Sequence, residues 1–250
     1  MEFKEEVYTS DGLYGYFFKF ICDEFMKNMK EHPEINEFAK KNNVNIFARE
    51  CFTADMISQE IDSHKGHIKR SDAKIALRNW RDKEQNSVLG IYTEWVLREG
   101  KMWVARITLQ IRPATLCFEI CVSIHDLELY KKHIAWAVKH EIGHVLDYIN
   151  TRHGISLEEF NRICERDKNE YDKYYDESAN VVGSSLEDRN KLNRRYYDIP
   201  QERDANKAIG ITVDEMIAID DEMFNKYHNK LTTLHISQSN IHDVPEEKKE

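Results

Sequence analysis

Two histidines and a glutamate stand at a spacing that suits metal-assisted hydrolysis. His140 and His144 are separated by four positions, and Glu141 directly follows the first histidine in an HExxH pattern. On an α-helix, side chains at this spacing lie on one face, so both imidazoles can bind a single metal ion. Glu141 lies about 100° around the helix and can reach a water beside that ion without binding the metal itself.

Zinc is the metal that this set of donors predicts. Two imidazoles and one oxygen ligand are typical of a catalytic zinc site, which keeps a fourth position for water. The ion lowers the pKa of that water, and the carboxylate of Glu141 can accept its proton. We therefore predict one Zn²⁺ per chain with Glu141 as the general base. The alternative is a pair of surface histidines beside a solvated glutamate.

The residues around the motif predict the helix that must carry it. Apolar residues recur at a helical period from Leu127 to Ile149. Asp126 is a suitable N-cap, Glu128 suits the first turn, and Gly154 is a suitable stop.

Alternating residues upstream of this helix predict a β-meander. Residues 88–97 and 102–112 alternate between apolar and polar positions around a turn at Glu99-Gly100, and residues 115–124 resume the alternation. A single buried face would pack this sheet against the HExxH helix. We therefore predict an α+β fold in which a small, mostly antiparallel sheet packs on that helix and a helical C-terminal part follows.

Cys117 and Cys121 fall within the predicted third strand. On a strand they would share one face at a separation of about 13 Å, which is too far for a disulfide. We favour core or cleft-facing thiols over a second metal site. The pair His64 and His67 forms an HxxH pattern in a polar stretch and is a weaker candidate for function.

Residues before the meander predict further elements. Residues 12–30 predict an amphipathic helix with an aromatic stripe. A second short helix should begin at Pro33 and end near Asn42-Asn43, and residues 44–52 predict a strand. A helix is expected around residues 72–81. The aromatic stripe could bind a partner, but packing on the main domain is the interpretation that we favour.

Composition limits the class of protein. The chain of 250 residues has a net charge of −9, whereas nucleic-acid binders are usually basic, so nucleic acid is not expected as a partner. No apolar run is long enough to predict a membrane span, and the N-terminal residues lack an apolar signal core. The odd number of cysteines, five, and the absence of a CxxC pair fit a reducing compartment. These features predict a cytoplasmic protein.

A zinc site of this kind needs a third protein ligand. The metzincin pattern HExxHxxGxxH is not met, because Asp147 and Asn150 stand where it has Gly and His. The other common solution is a carboxylate on a later helix, in a pattern of Glu, two residues, a small residue and then Asp or Asn. Residues 202–206, ERDAN, match this pattern, and residues 176–180, DESAN, nearly match it.

These two motifs resemble those of gluzincin-type zincins and, more narrowly, of the ImmA/IrrE-type metallopeptidases, which join HE(I/L)GH to a downstream ExxAN or ExxAD helix. The resemblance implies a zincin-like fold and a zinc-dependent endopeptidase that hydrolyses a protein or peptide substrate. It implies that His140, His144 and Glu202 bind the metal and that Glu141 is the general base.

The resemblance also suggests residues that support the ligands. Asn206 or Asp147 could orient a ligand histidine. Asp176 and Glu177 compete with Glu202 for the third ligand position. We favour Glu202 because Pro200 can start a helix just before it and because its pattern is complete. A donor for the oxyanion is also needed, and the open candidates are Tyr174, Tyr175, Tyr196, Tyr197 and His153.

Three segments are expected along the chain. Residues 1–43 form a helical segment that packs on a metallopeptidase domain of residues 44–236, and residues 237–250 form a disordered tail. The charged segment 156–196 and the aromatic stripe of the first helix motivate a second function: a zincin-fold binding or regulatory module with little or no proteolytic activity.

Overall fold

The computed structural model describes residues 4–6, 13–50, 89–111, 116–179 and 186–239. The helix expected around residues 72–81 and the His64–His67 pair lie outside these ranges. The described part of the chain has an α+β fold that is mostly helical, with one small mixed sheet.

The sheet contains four described strands in the order β1-β2-β4-β3. They are β1 (Lys4–Glu6), β2 (Asn45–Glu50), β3 (Leu89–Arg98) and β4 (Lys101–Ile111). Strands β3 and β4 form the predicted hairpin, and both turn residues have a positive φ, 49° at Glu99 and 72° at Gly100. Two successive positive φ values are typical of a tight hairpin turn.

The prediction of a mostly antiparallel sheet is wrong, because β2 pairs in parallel with both β1 and β4. A parallel pair needs a long crossover connection between its strands, and the chain between β2 and β4 is long enough to supply one. Strand β4 therefore lies between β2 and β3, and β3 forms one edge of the described sheet.

Eight α-helices are described. They are α1 (Leu13–Glu31), α2 (Pro33–Asn42), α3 (Leu116–Ser123), α4 (Leu127–Asp147), α5 (Leu157–Ala179), α6 (Leu186–Tyr197), α7 (Pro200–Ile209) and α8 (Val213–Ser239). None of these helices has the length and apolar character needed to cross a membrane. Helix α8 includes residues 237–239 of the expected tail, and residues 240–250 lie outside the described ranges.

The predicted third strand at 115–124 is wrong, because α3 occupies this segment. Cys117, Phe118, Ile120 and Cys121 are all buried, and two adjacent pairs three residues apart form one face of a helix rather than one face of a strand. The two cysteines therefore lie one helical turn apart, not at opposite ends of a strand. Both are free thiols.

Helix α4 is the central element, since it contacts α1, α3, α7, α8 and β3. Its first turn begins as predicted: the backbone N–H of Leu129 donates to Asp126 Oδ1 at 3.1 Å, which caps the helix. The aromatic stripe of α1 is buried, and the Phe17 and Tyr130 rings meet edge to face at 4.9 Å. The helix that carries HExxH is thus held on several sides by core packing.

Candidate metal centre

Helices α4 and α7 bring three donor side chains together. His140 Nε2 lies 2.8 Å from Glu202 Oε2, His144 Nε2 lies 3.3 Å from the same oxygen, and the two nitrogens are 3.1 Å apart. His140 and His144 are each 5% exposed and Glu202 is 2% exposed. This buried group could hold a metal ion.

The three donor atoms fit a small cation. Ligand atoms about 2 Å from a tetrahedral metal lie roughly 3.3 Å from one another, and the distances in this group range from 2.8 to 3.3 Å. Two imidazoles with one carboxylate are also the donors of a known class of catalytic zinc sites.

Glycine in the motif lets α7 approach α4 closely. A Cβ placed on Gly143 would lie 2.2 Å from the backbone oxygen of Ala205, so any side chain there would overlap the facing helix. Helix α7 begins at Pro200 and ends at Ile209, and Gly210 caps its C-terminus with a φ of 69°. This short helix carries Glu202 and Asn206 on one face, one turn apart, and both reach His140.

Asn206 orients the first histidine. The Nδ1–H of His140 donates to Asn206 Oδ1 at 2.8 Å, which leaves the lone pair of Nε2 directed at the centre of the cluster. The indole of Trp136 stacks on the same imidazole at a centroid distance of 5.5 Å. One of the two expected supporting residues, Asn206, therefore contacts a candidate ligand directly.

Asp147 has different contacts. Its Oδ2 lies 3.2 Å from Arg152 Nε, and its Oδ1 accepts a hydrogen bond from Thr151. Arg152 also forms an ion pair with Asp167 at 3.0 Å. Through Arg152, Asp147 therefore connects the π-helical turn after α4 to α5. It does not orient His144, whose Nδ1 has no hydrogen-bond partner within the described residues.

The competing third ligands lie away from the cluster. Asp176 and Glu177 are exposed on α5, and Glu177 accepts a hydrogen bond from Arg195 Nε at 3.2 Å. Neither side chain belongs to the buried donor group. The group formed by the described residues contains Glu202 instead.

Glu141 is 7% exposed, and the helix that carries it packs against β3. Burial raises its pKa, and the nearby His144, His140 and the backbone N–H of Ile91 on β3 oppose this rise only in part. Burial also acts to raise the pKa of Glu202, but the two histidines hold that pKa well below its usual value. The two carboxyl groups therefore differ in character: Glu202 favours the ionised form, and Glu141 takes up a proton more readily.

The candidate oxyanion donors are spread over the described structure. The Tyr197 ring lies 5.4 Å from the His140 ring, Tyr174 packs on Tyr196 at 5.4 Å, and Tyr175 is exposed. His153 lies by the sheet, where its Nδ1 accepts a hydrogen bond from the backbone N–H of Val104 at 3.2 Å. Of these five residues, Tyr197 packs its ring against a candidate ligand, His140.

Sequence reasoning missed two other tyrosines at the cluster. The hydroxyl of Tyr171 on α5 donates to Glu202 Oε1. The Tyr148 ring lies 6.0 Å from the His144 ring, and its hydroxyl accepts a hydrogen bond from Gln201 at 2.7 Å. Tyr148 follows His144 by one helical turn, and this spacing could have predicted their contact. Nothing in the local sequence distinguishes Tyr171 from its neighbouring tyrosines.

Comparisons with protein-family models, with curated proteins and with solved structures find no match to this chain.

Proposed function

We propose that this protein is a zinc-dependent endopeptidase with a zincin-like fold, similar in its motifs to the ImmA/IrrE-type metallopeptidases. One observation carries the proposal: the Nε2 atoms of His140 and His144 and Oε2 of Glu202 converge within 3.3 Å, beside the buried carboxyl group of Glu141. These residue types in this arrangement suit hydrolysis of a peptide bond.

His140, His144 and Glu202 would hold the ion. When bound, zinc supplies Lewis acidity, which acidifies a water and polarises a carbonyl. Glu141 accepts a proton from the attacking water as the oxygen bonds to the carbonyl carbon. It then gives that proton to the amide nitrogen as the C–N bond breaks, so that water is consumed and an acid and an amine are released. Asn206 keeps the His140 ring in the required tautomer.

The position of β3 supports a peptide as the substrate. Strand β3 ends the described sheet, and its Ile91 backbone N–H reaches Glu141. Tyr92 and Leu97 on this strand are each 54% exposed. An extended peptide could add to such an edge through main-chain hydrogen bonds, which would bring its carbonyl groups past Glu141.

The test compares the wild type with Glu141→Gln on a mixture of unfolded proteins. We expect the variant to keep its zinc and its fold while hydrolysis falls by at least about a hundredfold, the scale of losing a general base. The amide is nearly the same size as the carboxyl group but cannot accept the water's proton. Cleavage by Glu141→Gln at the wild-type rate would refute the assigned role.

The burial of the cluster favours a second candidate, a zincin-fold binding or regulatory module with little or no proteolytic activity. The side chains of His140 and His144 are 7% exposed and that of Glu202 is 3% exposed, so a substrate carbonyl needs a rearrangement to reach them. Absence of cleavage by the fully zinc-loaded wild type, matching Glu141→Gln, would favour this module over the peptidase.

A further inference from the structure

We propose that Tyr171 is a positioning residue of the metal centre, supplied by the charged segment between the two metal-binding motifs. The inference rests on the metal centre of the proposed function. The hydroxyl of Tyr171 donates to Glu202 Oε1, while both histidines contact Glu202 Oε2. The two carboxylate oxygens thus have separate partners.

This division determines how Glu202 can bind a metal. A carboxylate can use one or both oxygens as ligands, and a hydrogen bond donated to one oxygen competes with a metal for the electron density of that oxygen. A tyrosine hydroxyl has an ordinary pKa of about 10, so it keeps its proton and donates at neutral pH. Tyr171 would therefore favour binding of a metal through Glu202 Oε2, the oxygen that both histidines contact, and Oε1 would stay with the tyrosine hydroxyl.

The rest of α5 anchors Tyr171 in this position. Asp167 lies one helical turn before Tyr171 on the same face, and it is buried with its partner Arg152, at 3% and 5% exposure. Arg152 also pairs with Asp147 at the end of α4. This buried Asp147–Arg152–Asp167 group joins the HExxH helix to α5, so the position of the Tyr171 hydroxyl is tied to the helix that carries the histidines.

The helix α5 thereby gains a role that its charge pattern does not indicate. Most of its acidic and basic side chains are exposed, which is typical of a solvated helix face. Its other face supplies Asp167 for anchoring and Tyr171 for contact with Glu202. Hydrogen bonds from neighbouring residues to a metal ligand commonly contribute about 10- to 100-fold to metal affinity.

The experiment compares wild type, Tyr171→Phe and the matched control Tyr174→Phe as full-length metal-free proteins titrated with Zn²⁺ and Co²⁺. Tyr174 lies on the same helix, and its ring packs on Tyr196 rather than on a candidate ligand. We expect Tyr171→Phe to bind both ions about 10- to 100-fold more weakly and the control to match wild type. We also expect weaker visible absorption of the Co²⁺ form of Tyr171→Phe, because Glu202 Oε1 becomes free to bind and four-coordinate Co²⁺ absorbs most strongly.

A second variant keeps the test decisive if Tyr171→Phe does not fold. Asp167→Asn weakens the anchor without touching Glu202, and on its own we expect it to lower metal affinity and to weaken the visible absorption of the Co²⁺ form. Where Tyr171→Phe folds, adding Asp167→Asn to it should lower the affinity hardly at all further, since both changes act on one contact. Unchanged affinity and an unchanged Co²⁺ spectrum in Tyr171→Phe would overturn the inference, as would no loss of affinity in Asp167→Asn.

The outcomes separate this inference from the proposed function. A wild type that binds metal and cleaves protein, with Tyr171→Phe equal to it in affinity and spectrum, refutes the inference alone. A wild type that binds metal without cleaving, with Tyr171→Phe weakened, refutes the peptidase alone. A wild type that binds neither ion refutes both.

Discussion

Replacement of Gly143 by alanine tests whether the close approach of α4 and α7 is needed for metal binding. The added Cβ would lie 2.2 Å from Ala205 O, whereas real Cβ atoms stay at least 3.0 Å from such an atom, so the helices must separate by at least 3.0 − 2.2 = 0.8 Å. The obstructing atom belongs to the backbone and cannot rotate away. Glu202, one turn before Ala205, moves with α7.

The size of the effect follows from two opposing contributions. Alanine stabilises a helix interior by about 1 kcal/mol relative to glycine, while overpacking of this kind costs roughly 1–3 kcal/mol. Metal ligands tolerate displacements of only about 0.2 Å, so the separation of the helices acts mainly on metal affinity. The metal-free protein can relieve the overlap by letting the two helices move apart, whereas the zinc-bound protein must restore the close approach, so the overpacking cost falls mainly on binding. A loss of about 1–3 kcal/mol in binding corresponds to roughly 5- to 150-fold weaker zinc binding.

Competition with a chromophoric chelator measures the zinc affinity, and thermal unfolding of the metal-free protein measures stability. Gly90→Ala is the control, because a Cβ at Gly90 meets nothing within 4 Å. We expect it to bind zinc as the wild type does. Wild-type zinc affinity in Gly143→Ala would refute the reasoning and would mean that α7 does not need this contact to present Glu202.

Two further predictions concern the metal and a buried ion pair. Removal of zinc by a chelator should lower the melting temperature of the wild type, because a ligand at about 1,000 times its dissociation constant adds roughly 4 kcal/mol of stability, and His140→Ala or His144→Ala should abolish this difference. The second prediction concerns His133, whose Nδ1 lies 3.6 Å from Asp220 Oδ1. Burial acts to lower the pKa of His133, but Asp220 and Cys117 outweigh burial and raise this pKa to about 10. A histidine whose pKa is raised on folding stabilises the folded state fully below its unfolded pKa, about 6.5. This contribution to the free energy of unfolding should be lost as the pH rises towards 10. Denaturant titrations should show that the free energy of unfolding depends less on pH in Asp220→Asn than in the wild type.

Local signals explain what the sequence could predict. The N-cap at Asp126 and the turn at Glu99-Gly100 depend on a few adjacent residues, and the structure confirms both. Helix α7 begins at Pro200, as expected. Each of these features is decided by backbone chemistry within one turn of the chain, which is the range over which sequence patterns are informative.

Tertiary packing determines the features that the sequence could not predict. The segment of α3 is apolar on nearly every side, so its residues fit a buried strand and a buried helix equally well. Its packing against α4 and α8, and of Phe118 against Phe17 on α1, is known only from the folded chain. The parallel pairing of β2 with β4 joins residues about 60 positions apart in the chain, such as Asn45 and Arg106, and no local pattern encodes a pairing over that distance. Tyr171 meets Glu202 across 31 positions, and only the folded chain brings them together.

The strand order has a consequence for the rate of folding. Strands β3 and β4 are adjacent in sequence and can form a hairpin within microseconds. Strand β2 pairs with β4 in a register that joins Asn45 to Arg106, so a long loop must close before this contact can stabilise the chain. Contacts between remote segments slow folding. We therefore expect hairpin formation to precede the docking of β2, and this docking, rather than helix formation, to set the overall folding rate.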